Sequence, residues 1–369
     1  RSPSQSSFLS RADAARPSDK EIMTIQEYIR QAWRGETLDA LKAFIRIPAK
    51  SSAFDADWER SGFLLRAIEE AARWGRERVF FYGHFDKQPE TEGWSEGLGP
   101  WTPVVRDGRL YGRGASDDGY SFYSALTAVK ALEAVGTPHP RITGFFESDE
   151  ESGSKDLSAY LSEIAPRAGD PCVLGILDLG VCDYDRLWLT RSLRGVVCFK
   201  LRVEVLERPV HSGISSGIVP SSFAVMRELL DRLEDPATGR VKLPEFHTAI
   251  PAELEASFDR CASILGWSII DFPFAGDTEP RVFDPAGAFR RNTWEPSLSI
   301  LGADGLPPTS EASALLRAST TLALSFRIPP RVDPKAALAA AVRAVTENVP
   351  SRAHVTVWDE HAEAGFGVL

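Results

Sequence analysis

The residues of this sequence that could do chemistry fall in short acidic clusters, each at the end of an apolar run. His84-Phe-Asp86 follows Arg78-Val-Phe-Phe-Tyr82, Asp117-Asp118 lies in Leu110-Tyr-Gly-Arg-Gly-Ala-Ser-Asp-Asp-Gly119, and Glu150-Glu151 lies in Glu147-Ser-Asp-Glu-Glu-Ser-Gly-Ser154. Two apart in an extended segment, His84 and Asp86 project to the same side, so an imidazole can bind a metal while a carboxylate holds its other nitrogen. Asp117-Asp118 stands at a helix start, where Asp ordinarily caps the helix and suits its dipole. The alternative is a carboxylate whose two oxygens bridge two cations about 3.5–4 Å apart. Glu150 and Glu151 are adjacent like charges in a tight turn after a buried strand, and they repel unless cations or a proton offset them. One can ligate a metal while the other takes a proton from water and returns it to a leaving amine. Asp178 ends the apolar run Val173-Leu-Gly-Ile-Leu177 and adds a further carboxylate, or caps a loop; His211 in Pro209-Val-His-Ser-Gly213 reads by itself as a surface-loop histidine. This collection points to a two-metal hydrolase.

The elements that must carry these groups follow from periodicity. Ile25–Trp33, Thr37–Phe44 and Trp58–Trp74 place apolar residues at helical spacing, whereas Arg78–Tyr82 has the short apolar character of a buried strand. Val104–Tyr111 reads as a hairpin turning at Asp107-Gly108. A helix from about Asp118 to Val135 stops at Gly136 and Pro138. Arg141–Phe146 and Cys172–Leu177 are predicted strands around a helix at Leu157–Ile164, and this alternation predicts an α/β, largely parallel sheet with ligands at the strand ends. His84, Asp117, Glu150 and Asp178 all follow a predicted strand or its turn. From Gly195 the order changes to strand Val196–Val205, helix Ser221–Leu233, strands Ser297–Leu301 and Thr320–Ile328, helix Ala336–Val349 and strand His354–Trp358. That is the ferredoxin-like β-α-β-β-α-β order. A domain boundary is expected near Arg194, and Asp235–Glu295 reads as a long insertion.

The chain has 369 residues, 43% hydrophobic and 25% charged, which suits a globular protein of two or three domains. Its net charge of -10 argues against nucleic acid or an anionic membrane surface as partner, since both need clustered Lys and Arg. The four cysteines, Cys172, Cys182, Cys198 and Cys261, show no C-x-x-C spacing and read as buried free thiols of a reducing compartment. No apolar run reaches membrane-spanning length, and the polar, Ser-rich stretch before residue 21 lacks the apolar region of a signal peptide. A cytoplasmic protein with a disordered tail over residues 1–20 is the expectation.

The order His-x-Asp, Asp, Glu-Glu, Asp resembles the dinuclear zinc metallopeptidase family that includes carnosinases and related dipeptidases, glutamate carboxypeptidase, aminoacylase and succinyl-diaminopimelate desuccinylase. The resemblance is carried by Tyr82-Gly-His-Phe-Asp-Lys-Gln-Pro89, Gly93-Trp94, Arg106 through Gly119, Asp149-Glu-Glu-Ser-Gly-Ser154, Ser192-Leu-Arg-Gly195 and His211-Ser-Gly213, and is nearest to the carnosinase-like dipeptidases. It implies a catalytic domain over residues 21–194, an inserted lid that also dimerises over 195–363, and the start of a return to the catalytic domain over 364–369. It implies two divalent ions, zinc by preference with manganese or cobalt possible, held by His84, Asp117, Glu151 and Asp178. Asp117 would bridge them, Glu150 would be general base and acid, and Asp86 would support from behind. His211 would reach a partner's active site to stabilise the oxyanion, Arg327 would bind a substrate carboxylate, and His361 would line the substrate site. The peptide bond between Asp117 and Asp118 would be cis. The implied reaction is hydrolysis, by metal-activated water, of the amide bond of a dipeptide or N-acyl amino acid with a free C-terminal carboxylate.

The sequence departs from the family's pattern in places. Relatives return from the lid with a Gly-rich loop and a last metal-binding histidine, whereas this chain stops at Leu369, so the catalytic domain is expected to be incomplete and one metal short of a ligand. There is no room for edge strands between Trp74 and Arg78. Lys87 stands where relatives carry a small apolar residue, and Ser313-Ala-Leu-Leu-Arg317 replaces a Lys-Thr-apolar-apolar-Pro run. Two other readings therefore stay open: a non-catalytic dimerisation or ligand-binding module, and a dinuclear aminopeptidase.

Overall fold

In the computed structural model, which describes residues 24–74, 81–139, 142–168, 174–178 and 180–367, helix α1 (Ile25–Ala32) starts at a capping box in which Thr24 and Glu27 satisfy each other's backbone amides. Helix α2 (Glu36–Ile45) buries Leu41, Phe44 and Ile45. The expected Trp58–Trp74 helix is two pieces, a short turn over Trp58–Ser61 and α3 (Phe63–Trp74), because Gly62 takes a left-handed conformation between them. The polar tail over 1–20, the strand start at Arg78, and Cys172 lie outside the described residues.

The chain divides into two compact units, Arg1–Gly180 and Val181–Leu369. This division falls ahead of Arg194, where the sequence suggested a boundary. In the first unit, β1 (Tyr82–His84) precedes a hairpin of β2 (Val104–Arg106) and β3 (Arg109–Tyr111), whose turn has Asp107 and Gly108 at positive φ. Helix α4 (Gly119–Ala134), β4 (Phe145–Glu147) and α5 (Leu157–Ala168) follow. β1 pairs in parallel with β4, and Tyr82 also bridges in parallel to Ile176, giving the parallel α/β arrangement on a small scale. The sheet is seated on an aromatic core. Phe85 packs against Phe122 and Phe146 with ring centroids 5.5 and 5.4 Å apart, and Phe122 meets Phe146 edge-on at 5.0 Å. Since Phe85 lies between His84 and Asp86, this packing fixes where both point.

The second unit is built on β5 (Gly195–Glu204), α6 (Ser222–Leu233), α7 (Ala252–Leu265), α8 (Pro285–Thr293), β6 (Ser297–Asp304), β7 (Ser319–Ile328), α9 (Pro334–Thr346) and β8 (His354–Glu363). The strands form one antiparallel sheet in the order β6-β7-β5-β8. Without the insertion this is the β-α-β-β-α-β arrangement, with Val197, Phe199, Leu201 and Val203 of β5 facing α6 and α9. The insertion is ordered: α7 and α8 enclose a small core of Leu254, Phe258, Phe289 and Trp294. Pro236, Pro244, Pro251, Pro273, Pro280 and Pro285 cut its apolar residues into short runs, so the sequence did not announce it. Among the described residues no helix is long and apolar enough to cross a membrane. Cys182, Cys198 and Cys261 are free as expected, but Cys182 is exposed and the other two are only partly buried.

Candidate metal centre

His84 is the last residue of β1, not a residue beyond it, and is 1% exposed. Its Nδ1–H donates to the carbonyl of Asp86 at 3.0 Å. A carbonyl can only accept, so Nδ1 carries a proton and Nε2 is the ring atom that faces the other side. There Nε2 lies 3.1 Å from Asp117 Oδ1, 3.6 Å from Asp178 Oδ1 and 3.8 Å from Glu150 Oε2, buried and without an aligned hydrogen bond. Burial opposes a charge on the ring, but the carboxylates of Asp117, Asp178 and Asp86 outweigh it and push the pKa well above the histidine range.

The peptide bond between Asp117 and Asp118 is cis, as the resemblance implied. Asp118 occupies the N-cap position of α4, yet its side chain does not cap. Its Oδ2 instead accepts from the backbone N–H of His84 at 3.1 Å and from Ser121 Oγ at 2.7 Å, while Oδ1 is buried without a partner. This approach depends on Gly83: a Cβ there would lie 2.5 Å from Ser121 Oγ and 2.6 Å from Asp118 Oδ2. Burial, with the charge of Asp178 adding to it, pushes the Asp118 carboxyl up to about 8 against the opposing Ser121 hydrogen bond and His84. Asp117 is more open, and His84 above all, helped by Arg113, holds it below the carboxylate range against its burial.

Glu150–Ser152 is a single 3-10 turn closed by Gly153 at positive φ. Asp86, fully buried, holds this turn: its carboxylate accepts from the backbone N–H of Glu150 at 3.3 Å and of Glu151 at 3.0 Å. The Asp86 carboxylate stands 3.4 Å from His84 Nδ1, so its closer bond is to the turn and the histidine is oriented chiefly by the Asp86 carbonyl. Burial pushes Glu150 up to about 7, with Asp178, Glu151 and Asp86 adding and His84 opposing. Glu151 is also raised by burial, although Gln88 donates to its Oε2; its Oε1 is buried without a partner.

The structure thus brings His84, Asp86, Asp117, Glu150, Glu151 and Asp178 together. Two overlapping donor sets, His84 with Asp117 and Glu151, and His84 with Asp118 and Asp178, each have ligand atoms within 4.8 Å of one another. Three buried atoms without hydrogen-bond partners, His84 Nε2, Asp118 Oδ1 and Glu151 Oε1, belong to residues of these two sets. Imidazole and carboxylate donors suit divalent ions such as zinc, and this donor set fits them.

The remaining residues singled out in the sequence belong to the second unit. His211 is exposed at the end of a two-residue strand paired with Leu315–Leu316, its Nδ1 accepting from Gly213 N–H at 3.1 Å. Arg327 is exposed on β7 opposite Val196 and Ser297. His361 is exposed on β8, with Nε2 3.3 Å from Glu363. Sequence reasoning gave Asp118 no role beyond capping, and gave none to Gln88 or Ser121. The doubled aspartate was the available signal for the first, while the other two emerge only from tertiary contacts.

A model of the peptidase family M20/M25/M40 matches residues 80–363. Among curated proteins, the chain is 28% identical over 272 residues to the Cys-Gly metallodipeptidase of Schizosaccharomyces pombe, covering 70% of this chain and 55% of the relative. It is 27% identical over 267 residues to the Beta-Ala-His dipeptidase of Rattus norvegicus, covering 69% and 52%. The chain therefore spans about half the length of these curated relatives. Among solved structures, the dipeptidase Dug1p from Saccharomyces cerevisiae aligns with a TM-score of 0.72 at 21% identity, over 94% of this chain and 81% of that one. Human carnosine dipeptidase 1 aligns with the same score and identity over 96% and 82%. At this identity the likeness speaks for a shared fold.

Proposed function

The chain belongs to the peptidase family M20/M25/M40, and from that premise we propose that it is a metal-dependent hydrolase cleaving the amide bond of a dipeptide or N-acyl amino acid with a free C-terminal carboxylate. The observation that carries this reading is the buried, unpartnered Nε2 of His84 facing Asp117, Asp178 and Glu150. His84, Asp117, Glu151 and Asp178 would hold two divalent ions, zinc by preference. Bound there, the ions would polarise the scissile carbonyl and make water a nucleophile near neutral pH. Glu150, with a pKa about 7, is poised to accept a proton from that water and return it to the leaving amine. Asp86 keeps Glu150 and Glu151 in place through their backbone amides. Arg327 would bind the substrate carboxylate by its guanidinium fork, and His361 would line the substrate site. The β-α-β-β-α-β unit would act as a lid and dimerisation surface, presenting His211 to the oxyanion of a partner's site.

The named activities of the relatives, Cys-Gly and Beta-Ala-His dipeptidase, supply the first substrates to try. Zinc-loaded chain should hydrolyse one or both, and Glu150→Ala should abolish turnover while metal remains bound. Near-wild-type activity of that variant would remove Glu150 from the reaction. Metal binding without turnover of any dipeptide or N-acyl amino acid would leave the non-catalytic module as the better reading. Preference for a free amino terminus over a free carboxylate would favour the aminopeptidase reading.

A further inference from the structure

Lys87 is a charged residue the proposed chemistry does not use, and it is completely buried. Its Nζ donates to the carbonyls of Phe44 at 2.8 Å and Ile47 at 2.7 Å, at the C-terminal end of α2, and lies 3.9 Å from the centroid of the Phe44 ring. These are favourable partners for a cation. They also suit a neutral amine, which keeps two N–H groups for the two carbonyls, so the contacts do not depend on the protonation state.

The placement of Lys87 relative to the metal centre is more telling than its burial. It follows Asp86 directly and precedes Gln88, which holds Glu151. Its stem runs beside Gly114, where a Cβ would come within 2.6 Å of Lys87 Cε, in the loop that leads to Asp117. Its own carbonyl accepts from Ser51 N–H at 3.0 Å. The Ser51 hydroxyl bonds to that of Ser152, and Ser152 Oγ also accepts from Ala53 N–H at 2.9 Å, next to the Glu150-Glu151 pair. Ser52 donates to Asp149 at 2.5 Å on the same turn. The side chain thereby lies against the loop before Asp117, and its carbonyl reaches the turn at Glu150 through Ser51 and Ser152.

We propose that Lys87 is a positioning residue for the metal centre, tying those segments to the end of α2 so that the ligand atoms are held at mutual distance before metal arrives. The proposal rests on the metal-centre reading above. Groups behind a metal site commonly set affinity by about 10–100-fold through such orientation. The test is zinc affinity, measured by competition with a chromophoric chelator, for the wild-type chain and Lys87→Met, which keeps the length and apolar stem but loses both hydrogen bonds. Metal-free melting and near-UV circular dichroism are recorded alongside. The expected result is a folded variant whose zinc affinity is weaker by about tenfold or more. A variant that melts earlier but binds zinc within twofold of wild type would reduce Lys87 to a stability element and overturn the proposal. If Lys87→Met does not fold, Ser152→Ala interrupts the same path at a milder point; unchanged zinc affinity there overturns the proposal and a several-fold loss supports it. A wild-type chain that binds no zinc would overturn the metal-centre reading itself, and this one with it, an outcome distinct from a failure at Lys87 alone.

Discussion

Replacing Asp86 with Asn changes one oxygen into an NH2 group at a position with no room for a change of partners. The wild-type carboxylate accepts from Glu150 N–H at 3.3 Å and Glu151 N–H at 3.0 Å, in full burial. An amide offers one acceptor, so one of the two backbone donors is left facing another donor. An unsatisfied buried donor costs about 1–3 kcal/mol, and the surviving bond loses its charge assistance. The opposing effect is relief of repulsion, because Asp86 raises the pKa of both Glu150 and Glu151. In the metal-free chain the two effects offset each other and stability should move little. With cations bound the repulsion is neutralised, only the loss remains, and the Glu150-Glu151 turn is free to drift. Zinc affinity should therefore fall by about 10–100-fold, or roughly 1.4–2.7 kcal/mol. The stabilisation that saturating zinc confers on thermal unfolding should shrink by a similar amount. Chelator competition and paired melting curves with and without zinc measure both quantities. Unchanged or tighter zinc binding in Asp86→Asn would refute the idea that Asp86 supports the ligand turn.

Gly83→Ala should be far more damaging than a surface Gly→Ala change. Its Cβ would displace Asp118 from the His84 amide and Ser121, for a loss of about 3–5 kcal/mol in urea unfolding; a loss under about 1 kcal/mol would show that the strand has slack there. Zinc binding near pH 7 should release protons, because His84 is held above its usual range, Asp118 at about 8 and Glu150 at about 7 in the metal-free chain. All three folded-state pKa values are raised, so the bound protons compete with metal at low pH and the affinity should rise as pH climbs through about 7–8. Calorimetry in buffers of different ionisation enthalpy reads the number released, and a value of zero would refute the protonated cluster.

The fold was legible where local rules decide and illegible where contacts between distant segments do. The hairpin at Asp107-Gly108, the stop at Gly136 and the strand–helix order of the second unit follow from turn chemistry and periodicity, which are properties of adjacent residues. The break at Gly62 was missed because a helical pattern continues on both sides of it. β1 extends through His84, since parallel pairing with Phe145–Glu147 sets its register. The same division holds in the centre. His84, Asp117, Glu150 and Asp178 could be picked out because each ends an apolar run, and β-sheet geometry brings strand ends together. Asp118 looked like a cap because capping is what an Asp at a helix start usually does; only the approach of β1 through a glycine turns its carboxylate elsewhere.

That turn of Asp118 bears on why so many negative groups sit together at all. Other buried polar side chains of the first unit find partners at ordinary cost, among them Thr37 with Thr127 and Lys87 with the end of α2. Around His84, Asp118 Oδ1 and Glu151 Oε1 remain buried and unpaired while neighbouring carboxyls push one another upward in pKa. Each such group costs about 1–3 kcal/mol, and a chain selected for stability alone would replace them with apolar residues. Cations, displacing the bound protons, are the species that would satisfy these atoms and offset the excess charge together. The arrangement therefore makes physical sense as a metal centre that is unfavourable on its own, and the same reasoning requires zinc to stabilise the first unit by more than any single substitution in it should remove.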